Sequence, residues 1–251
     1  MLTRQRQQQI LDSMRSEGQV VVKTLAAKMA VSEDTLRRDL RELARRGLLQ
    51  RVHGGALPAS RAIADLSTRK RVSSQEKDAI ARMAASMLRA GQVVFLDGGT
   101  TATRLARLID PALKATIVTH SPSVAVELID FACEVVLIGG RVFKHSMVTV
   151  GGTAIEGIGR IRADLYFMGV TGLHPEVGLT TGDSEEAAVK RALMAASAET
   201  VVLGSPEKIG AASPYVIAPV AAASAVISTS DGSVEILARI AKCGVEVILA
   251  N

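Results

Sequence analysis

Five arginines occur within the first fifteen residues of the stretch 32–53, SEDTLRRDLRELARRGLLQRVH, and their spacing determines what they can bind. At about 100° per residue of an α-helix, four of them share one side, while Arg46 points elsewhere. The four are Arg37, Arg38, Arg41 and Arg45. The opposite side carries Leu36, Leu40, Leu43 and Ala44. Because guanidinium groups bind phosphate oxygens and guanine edges, this clustered face favours a polyanionic partner over a merely solvated charged surface.

A different chemistry is indicated by LDGGTTATRLA, residues 96–106, where an acidic residue and two glycines follow an apolar run. Glycines let a ligand approach the backbone, threonine hydroxyls add hydrogen-bond donors, and the N-terminus of a helix favours an anion. We therefore expect a phosphate-binding turn here, with a tight structural turn as the alternative. The candidate ligand-binding residues are Asp97, Gly98, Gly99, Thr100 and Thr101.

Polar and basic residues also follow other predicted strands. Because parallel strands place their carboxyl ends at one edge of a sheet, residues from separate segments can meet there. The further candidates for ligand binding are Thr119, His120, Ser121, Arg141, Lys144 and Lys208. Glu186 and Lys190 lie four residues apart in a predicted helix, where an ion pair that stabilises the helix is at least as good an interpretation as ligand binding.

The elements that must position the arginines form a small N-terminal domain, expected over residues 1–57. Apolar residues recur at helical spacing in residues 3–16, and an Ala-rich helix is predicted within residues 20–31. Ser32 can cap the third helix, which carries the arginines, and the two acidic residues after it suit the positive end of the helix dipole. A short helix followed across a tight turn by a basic helix is the layout that places a recognition helix in the DNA major groove.

A wing is expected after this third helix. Gly47 stops the helix, and residues 48–53 followed by two glycines are typical of two short strands around a turn. Basic residues on such a wing can reach an adjacent DNA backbone or minor groove. The residues that we expect to contact DNA are Ser32, Thr35, Arg37, Arg38, Arg41, Arg45, Arg51 and His53.

The remainder of the chain has a different pattern. Residues 58–75 combine a proline with polar and basic residues of weak periodicity and are expected to be an interdomain linker. Over residues 76–251, near-continuous β-branched runs alternate with Ala-rich helical segments, which indicates an α/β domain with a parallel sheet covered on both faces. The predicted strands are residues 93–97, 116–120, 134–140, 164–170, 200–204, 225–229 and 245–250.

Charge is distributed unevenly between these regions. Residues 1–57 carry 11 Lys and Arg against 6 Asp and Glu, and residues 58–75 carry 4 against 1. Residues 76–251 carry 15 against 18, so the positive charge lies in the first third of the chain. This distribution favours a polyanion as the partner of the N-terminal domain.

Composition and segment lengths argue against several classes of protein. No apolar stretch approaches the roughly 18 to 20 residues of a membrane span, and the N-terminus lacks the apolar core of a signal peptide. We therefore expect a cytoplasmic protein without a membrane partner. Cys133 and Cys243 have no metal-ligand spacing, so neither a zinc site nor a disulfide framework is expected, and both are interpreted as small buried apolar residues. No metal and no cofactor are expected.

The motifs together resemble the DeoR/GlpR family of bacterial transcription regulators. In the N-terminal domain the resemblance rests on the wing GLLQRVHGGA and on Arg6, Ile10, Met14, Ser32, Thr35, Leu36, Arg37, Arg38, Asp39 and Leu40. It continues through LDGGTTATRLA, IVTHS, LIGGRV and GLTTGDSEEAAVKRAL, and so covers nearly the whole chain. The resemblance implies a winged helix-turn-helix domain that binds operator DNA and a sensor domain that binds a phosphorylated sugar or related metabolite. It also implies a homodimer or homotetramer that represses genes of carbohydrate uptake or catabolism.

The chain departs from the family pattern at two positions. His120 stands where Asn is expected, and Ser205 stands where many members have Asp, three residues before Lys208. Loss of that carboxylate either removes an acceptor for a sugar hydroxyl or lessens repulsion of a second anionic group on the ligand. The sequence leaves both interpretations open.

The expected sensor fold also resembles ribose-phosphate isomerases and amino-sugar phosphate deaminases, so an isomerase or deaminase with a basic appendage is the alternative function. Those enzymes carry carboxylates for proton transfer on the loop after the central strand, whereas residues 169–174, GVTGLH, contain neither Asp nor Glu. We therefore expect ligand binding without turnover, and we interpret His174 as a solvated loop residue. A third class, an adaptor whose winged domain binds an acidic protein, also stays open.

Overall fold

The computed structural model describes residues 2–60 and 66–251. Its N-terminal part contains three helices, α1 (Thr3–Glu17), α2 (Val22–Lys28) and α3 (Glu33–Arg45). Their shared core includes Ile10, Met14, Leu25, Leu36, Leu40 and Leu43. The predicted trihelical unit is thereby confirmed, and burial of one face of α3 leaves its opposite face to solvent.

Helix α3 begins where the sequence predicts. Ser32 Oγ accepts a hydrogen bond from the backbone N of Thr35 at 3.2 Å, and Glu33 and Asp34 lie in the first turn. Gly47 follows the other end of the helix. The capping hydroxyl and the acidic first turn both stabilise the helix start, so the register of the arginines along α3 is well defined.

The predicted wing is a small antiparallel sheet. In it β2 (Leu49–Val52) pairs with β3 (Gly55–Pro58), and β3 also pairs with β1 (Val20–Val21). At Gly55 the strands approach so closely that a Cβ atom would lie 1.9 Å from Val20 O. Glycine is therefore required where the wing joins the connection between α1 and α2.

Asp39 is buried, although it lies in the basic helix α3. Asp39 directly follows Arg37 and Arg38, but its side chain is buried and forms an ion pair with Arg6 of α1. The pair removes one negative charge from the surface of α3 and links α1 to α3.

The C-terminal part is built on a seven-stranded parallel sheet. Its strands are β4 (Val93–Leu96), β5 (Thr116–Thr119), β6 (Glu134–Leu137), β9 (Ala163–Gly169), β12 (Ser197–Leu203), β14 (Ala225–Thr229) and β15 (Glu246–Ala250). Their spatial order is β15-β14-β12-β9-β4-β5-β6. All seven predicted strands are present, but β6 ends at Leu137 and not at residue 140, because the chain turns through Gly139 and Gly140.

Helices cover both faces of this sheet, as predicted. One face packs against α5 (Ser74–Ser86), α6 (Thr100–Leu108) and α7 (Pro122–Glu127). The other face packs against α8 (Gly152–Gly159), α9 (Ser184–Ala195) and α10 (Val234–Lys242). Strands buried on both faces need the near-continuous apolar runs seen in the sequence.

Two smaller strand groups were not predicted. A hairpin joins β7 (Arg141–Phe143) to β8 (Val148–Val150), and β10 (Gly172–His174), β11 (Gly178–Thr181) and β13 (Tyr215–Ala218) form an antiparallel sheet. Each of these strands has only three or four residues, which is too short for a clear alternation of apolar and polar side chains.

The segment predicted as a linker, residues 58–75, contains secondary structure. A short helix, α4 (Leu66–Arg71), precedes α5. Ala59 forms a parallel bridge with Ala212, and Ser60 Oγ donates a hydrogen bond to Thr171 O, so the chain that leaves the wing lies against the α/β domain. Residues 61–65 of the predicted linker lie outside the described residues.

From the sequence we expect no membrane span, no metal site and two buried cysteines. Within residues 2–60 and 66–251, no helix is long and apolar enough to cross a membrane. In the same ranges no group of three or more His, Cys, Asp or Glu is placed to hold a metal ion. Cys133 is buried as predicted, whereas Cys243 is only partly buried because it lies at the end of α10, which has one face in solvent.

Candidate nucleic-acid interface and ligand pocket

The basic face of α3 is exposed. Its four exposed arginines are Arg37, Arg38, Arg41 and Arg45. Two of them have acidic partners on the same helix: Arg37 lies 2.7 Å from Glu33, and Arg45 lies 2.9 Å from Glu42. Solvent screens exposed pairs of this kind, so phosphate groups can replace these partners at small cost.

Arg38 and Arg41 differ from their neighbours. Across the described parts of the chain, neither of them forms an ion pair or a side-chain hydrogen bond. Arg46 donates a hydrogen bond to Gln7 Oε1 at 3.2 Å and is thereby tied to α1. Arg38 and Arg41 are therefore the guanidinium groups of α3 that are most available to a polyanion.

The other residues predicted to contact DNA flank this face. Arg51 is exposed on β2, and His53 is exposed in the turn before β3. The hydroxyls of Ser32 and Thr35 lie 2.9 Å apart at the start of α3, the end that a recognition helix directs at base edges. Their contact with DNA stays a prediction.

A buried polar pocket lies at the carboxyl edge of the parallel sheet. The predicted residues that line it are Gly98, Gly99, Thr100, Thr101 and Lys208. Gly99 has φ 95°, a backbone conformation that favours glycine, and it caps α6. Thr101 Oγ1 is buried and has no hydrogen-bond partner within the described residues. The space inside is about 40 Å³, and one buried water needs about 10 to 15 Å³, so the pocket holds only a few waters.

Asp97 lies beneath the glycine turn, fully buried. Its Oδ2 accepts hydrogen bonds from Gly169 N at 2.7 Å, from Tyr166 Oη at 3.2 Å and from Lys190 Nζ, while its Oδ1 accepts one from Gly98 N at 2.7 Å. Burial opposes ionisation of Asp97, but the charge of Lys190 together with the other charge and hydrogen-bond contributions outweighs it and holds the pKa of Asp97 below its usual value. Asp97 thus anchors the turn from below and does not line the pocket.

For Lys190 the sequence leaves open an ion pair with Glu186 and a role in ligand binding. The two groups lie 3.6 Å apart, but the closer partner of Lys190 is Asp97. Burial lowers the pKa of Lys190, and the two carboxylates more than compensate, so its pKa is raised and the amine stays protonated. Lys190 and Glu186 both line the pocket. The spacing of Glu186 and Lys190 along one helix predicts that they pair. It does not predict the contact between Lys190 and Asp97, which lie 93 residues apart in sequence.

Two further cations and one carboxylate in the pocket were not predicted. Arg69 of α4 and Lys77 of α5 line it together with Glu207. Lys77 Nζ lies 3.2 Å from Glu207 Oε1 and donates hydrogen bonds to the backbone oxygens of Arg69 and Val72 at 2.9 and 2.6 Å. Lys208 is buried beside them. Burial lowers the pKa of Lys208 to about 8, although the negative charge of Glu207 acts to raise it. Sequence alone offered no signal for Arg69 and Lys77, because they precede the first strand of the sheet.

Besides Asp97, five further predicted ligand-binding residues do not line the pocket. Three are buried at the end of β5 and just after it: Thr119 Oγ1 donates to Leu96 O at 2.6 Å, Ser121 Oγ donates to Met147 O at 3.0 Å, and His120 Nε2 lies 3.4 Å from Asp97. Burial lowers the pKa of His120. The other two, Arg141 and Lys144, are exposed. Arg141 forms an ion pair with Glu185, because the unpredicted β7–β8 hairpin directs it to the start of α9.

The interpretation of His174 as a solvated residue was wrong. His174 is only 3% exposed and lies on β10, and its Nδ1 accepts a hydrogen bond from the backbone N of Glu176 at 3.2 Å. The unpredicted small sheet buries it.

A larger cleft adjoins the pocket. It has a volume of about 590 Å³ and shares Gly99, Thr100 and Ser146 with the pocket. Arg104 and Arg107 of α6 lie on its wall. The size falls within the range of about 300 to 1,000 Å³ that is common for small-molecule sites.

Comparisons with known proteins agree with this arrangement. Residues 6–62 match the DeoR-like helix-turn-helix domain, and residues 72–230 match the DeoR C terminal sensor domain. The chain is 37% identical to the HTH-type transcriptional regulator GlpR of Haloferax volcanii over 84% of this chain and 83% of that protein. It is 31% identical to the glycerol-3-phosphate regulon repressor of Escherichia coli over 82% of both chains.

Among solved structures, ribose 5-phosphate isomerase A of Methanocaldococcus jannaschii is similar over 54% of both chains, with 16% identity and a TM-score of 0.41. The two family matches together cover the winged domain and most of the α/β domain, and the relatives cover more than four fifths of the chain. The chain belongs to the DeoR family of helix-turn-helix transcriptional regulators.

Proposed function

We propose that this protein represses genes of carbohydrate uptake or catabolism, and that a small phosphorylated sugar or related metabolite controls its binding to operator DNA. The observation that carries the proposal is the presence, in one chain, of exposed guanidinium groups on α3 and a buried pocket lined by cations. The name of the Escherichia coli relative, a glycerol-3-phosphate regulon repressor, supports the same class of effector.

On the DNA side, the proposal assigns the main phosphate and base contacts to Arg38 and Arg41. Arg37 and Arg45 contribute after exchanging their acidic partners, and Arg51 and His53 reach the backbone beside the major groove. A homodimer or homotetramer places one α3 in each half-site, as is usual for helix-turn-helix proteins. The protein then acts in the cytoplasm.

On the effector side, the proposal assigns the anionic group of the ligand to the cations of the pocket and the rest of the ligand to the adjoining cleft. Lys77 and Lys208 supply charge, and Thr100 and Thr101 supply hydroxyl groups at the start of α6. Arg141 and Lys144, which were expected as ligand contacts, have no part in this assignment. Because the segment of residues 169–174, from the end of β9 through β10, contains neither Asp nor Glu, we propose binding without turnover.

The experiment that tests the proposal measures fluorescence anisotropy of labelled DNA from upstream of the protein's own gene over a salt series. Each phosphate neutralised adds about −0.9 to the slope of log affinity against log salt, so several arginine contacts give a steep negative slope. A flat response, or no binding at low salt, contradicts it. A thermal-shift screen against sugar phosphates then identifies ligands that bind the folded protein, because such ligands raise its apparent stability.

The enzymatic alternative is tested in the same samples. Incubation with pentose phosphates and hexosamine phosphates, followed by analysis for isomerised or deaminated product, should show no turnover. Product formation that is lost on heat denaturation would replace the repressor proposal with that of an enzyme.

A further inference from the structure

Glu207 is a buried carboxylate that the proposed function does not use. It lies on the short 3₁₀ turn Pro206–Lys208, and its side chain is 7% exposed. Its Oε1 lies 3.2 Å from Lys77 Nζ and accepts a hydrogen bond from Ser205 Oγ at 2.8 Å. Glu207 therefore sits among the cations to which the effector's anionic group has been assigned.

The carboxylate of Glu207 is ionised but incompletely bound. Burial raises its pKa, but the charges of Lys208 and Lys77 outweigh this effect and hold the pKa below its usual value. Its Oε2 is buried and has no hydrogen-bond partner within the residues that the structure describes. A buried carboxylate oxygen without a donor is unfavourable, so the cations hold Glu207 by charge and not through a complete set of hydrogen bonds.

The space left in the pocket beside Glu207 is small. The free volume of about 40 Å³ accepts only a few waters. Because the Glu207 carboxylate lies 3.2 Å from Lys77 and is held by the charges of Lys77 and Lys208, an anionic group that binds these two amines competes with it.

We propose that Glu207 is a resident anion, which occupies the effector's anion position in the ligand-free protein and is displaced when the effector binds. The inference rests on the proposed function and names how that site is regulated. Ser205 holds the carboxylate of Glu207 in this position through its hydroxyl.

The loop that carries Glu207 also contacts the chain that leaves the winged domain. Ala212 N donates a hydrogen bond to the O atom of Pro58, the last residue of β3, at 3.5 Å, and Ala212 forms a bridge with Ala59. Displacement of Glu207 moves a turn that lies five residues before this bridge. The exchange of anions is thereby coupled to the position of β3, and through β3 to the wing and α3.

The test compares wild-type protein with Glu207→Gln, which keeps the size of the side chain and an acceptor for Ser205 but removes the charge. Inorganic phosphate is titrated calorimetrically into the full-length proteins at constant ionic strength. We expect Glu207→Gln to bind phosphate at least tenfold more tightly than wild type. Glu199→Gln, an exposed position on β12 with the same change of charge, is the matched control and should bind like wild type.

Equal or weaker binding by Glu207→Gln overturns the proposal, and so does the absence of phosphate binding in both proteins. Lys208→Met distinguishes this failure from that of the proposed function. If Lys208→Met abolishes phosphate binding while Glu207→Gln leaves it unchanged, the pocket is an anion site and only the resident anion is refuted. If Lys208→Met binds phosphate like wild type, the proposed effector site is refuted as well.

A second readout tests the coupling to the winged domain. Without effector, the affinity of Glu207→Gln for the operator should differ from that of wild type by at least threefold, whereas Glu199→Gln should be unchanged. Identical operator affinities for all three proteins overturn the coupling. Far-ultraviolet circular dichroism of each variant establishes that the comparison is made between folded proteins.

Discussion

Lys190 of α9 donates a hydrogen bond to the carboxylate of Asp97, which follows β4, and the two side chains are 3% and 0% exposed. The pair joins a helix on one face of the sheet to the strand end from which the glycine turn starts. Removing one member of a buried ion pair leaves the other charge buried without a partner. The resulting loss of stability is larger than the stability that the intact pair contributes. The base of the ligand pocket therefore depends on both residues.

Asp97→Asn should lower the free energy of unfolding by about 3 kcal/mol, the lower end of the range for a broken buried pair, because Glu186 remains 3.6 Å from Lys190. Urea denaturation followed by circular dichroism measures this, since the chain contains no tryptophan for fluorescence. Asp130→Asn, at an exposed position, is the control and should change stability by less than about 0.5 kcal/mol. A loss at Asp97 as small as that of the control would refute the role of the pair.

The Arg6–Asp39 pair leads to a second prediction. With side-chain exposures of 12% and 4%, it lies between an exposed and a fully buried ion pair. Arg6→Met should therefore destabilise the winged domain by about 1 to 2 kcal/mol and weaken operator binding, because α3 loses its attachment to α1.

Arg4→Met serves as the control for Arg6→Met, because Arg4 is exposed on the same helix. The amide exchange rates of α3 provide the measurement: they should rise in Arg6→Met and stay unchanged in Arg4→Met. Equal exchange in both variants would show that Asp39 needs no partner.

Sequence patterns predicted the parts of this fold in which one property repeats over many residues. The run Ala225–Thr229 is buried throughout and was recognised as a strand, and the leucines of α3 were recognised as its buried face. Contacts between distant segments were not predictable in this way. Asp39 is acidic and lies in a basic helix, and only the position of Arg6 on α1 explains its burial.

The ligand pocket also depends on contacts between distant segments, so only part of it could be predicted from the sequence. The turn of residues 97–101 was found because glycines, threonines and a strand end coincide in sequence. Arg69 and Lys77 reach the pocket because α4 and α5 fold back over the edge of the sheet. No local sequence pattern predicts how these two helices pack. Glu207 was overlooked because no local pattern shows that it faces Lys77 of α5, which is 130 residues away in sequence.

For DNA binding, the structure sharpens the prediction from the arginine pattern. Arg38→Ala and Arg41→Ala should each weaken operator binding and reduce the salt slope by about 1, because each removes a guanidinium group that has no ion-pair partner among residues 2–60 and 66–251. Arg46→Ala, whose side chain is bound to Gln7, is the matched control and should leave the slope unchanged. An equal loss in all three variants would indicate a non-specific effect of charge, and an unchanged affinity in Arg38→Ala would favour an acidic protein partner.

The pH dependence of anion binding provides the last prediction. Burial lowers the pKa of Lys208 to about 8, with the charge of Glu207 opposing and the charges of Lys77, Lys190 and Arg69 adding to the decrease. The amine is protonated below this pH and loses its charge as the pH rises through it, so affinity for an anion should fall across pH 8. Sulfate is the suitable probe, because its own charge does not change in this range. Lys208→Arg should abolish the fall centred near pH 8, since a guanidinium group stays protonated there. A fall of the same size and midpoint in wild type and Lys208→Arg would show that another group controls the binding.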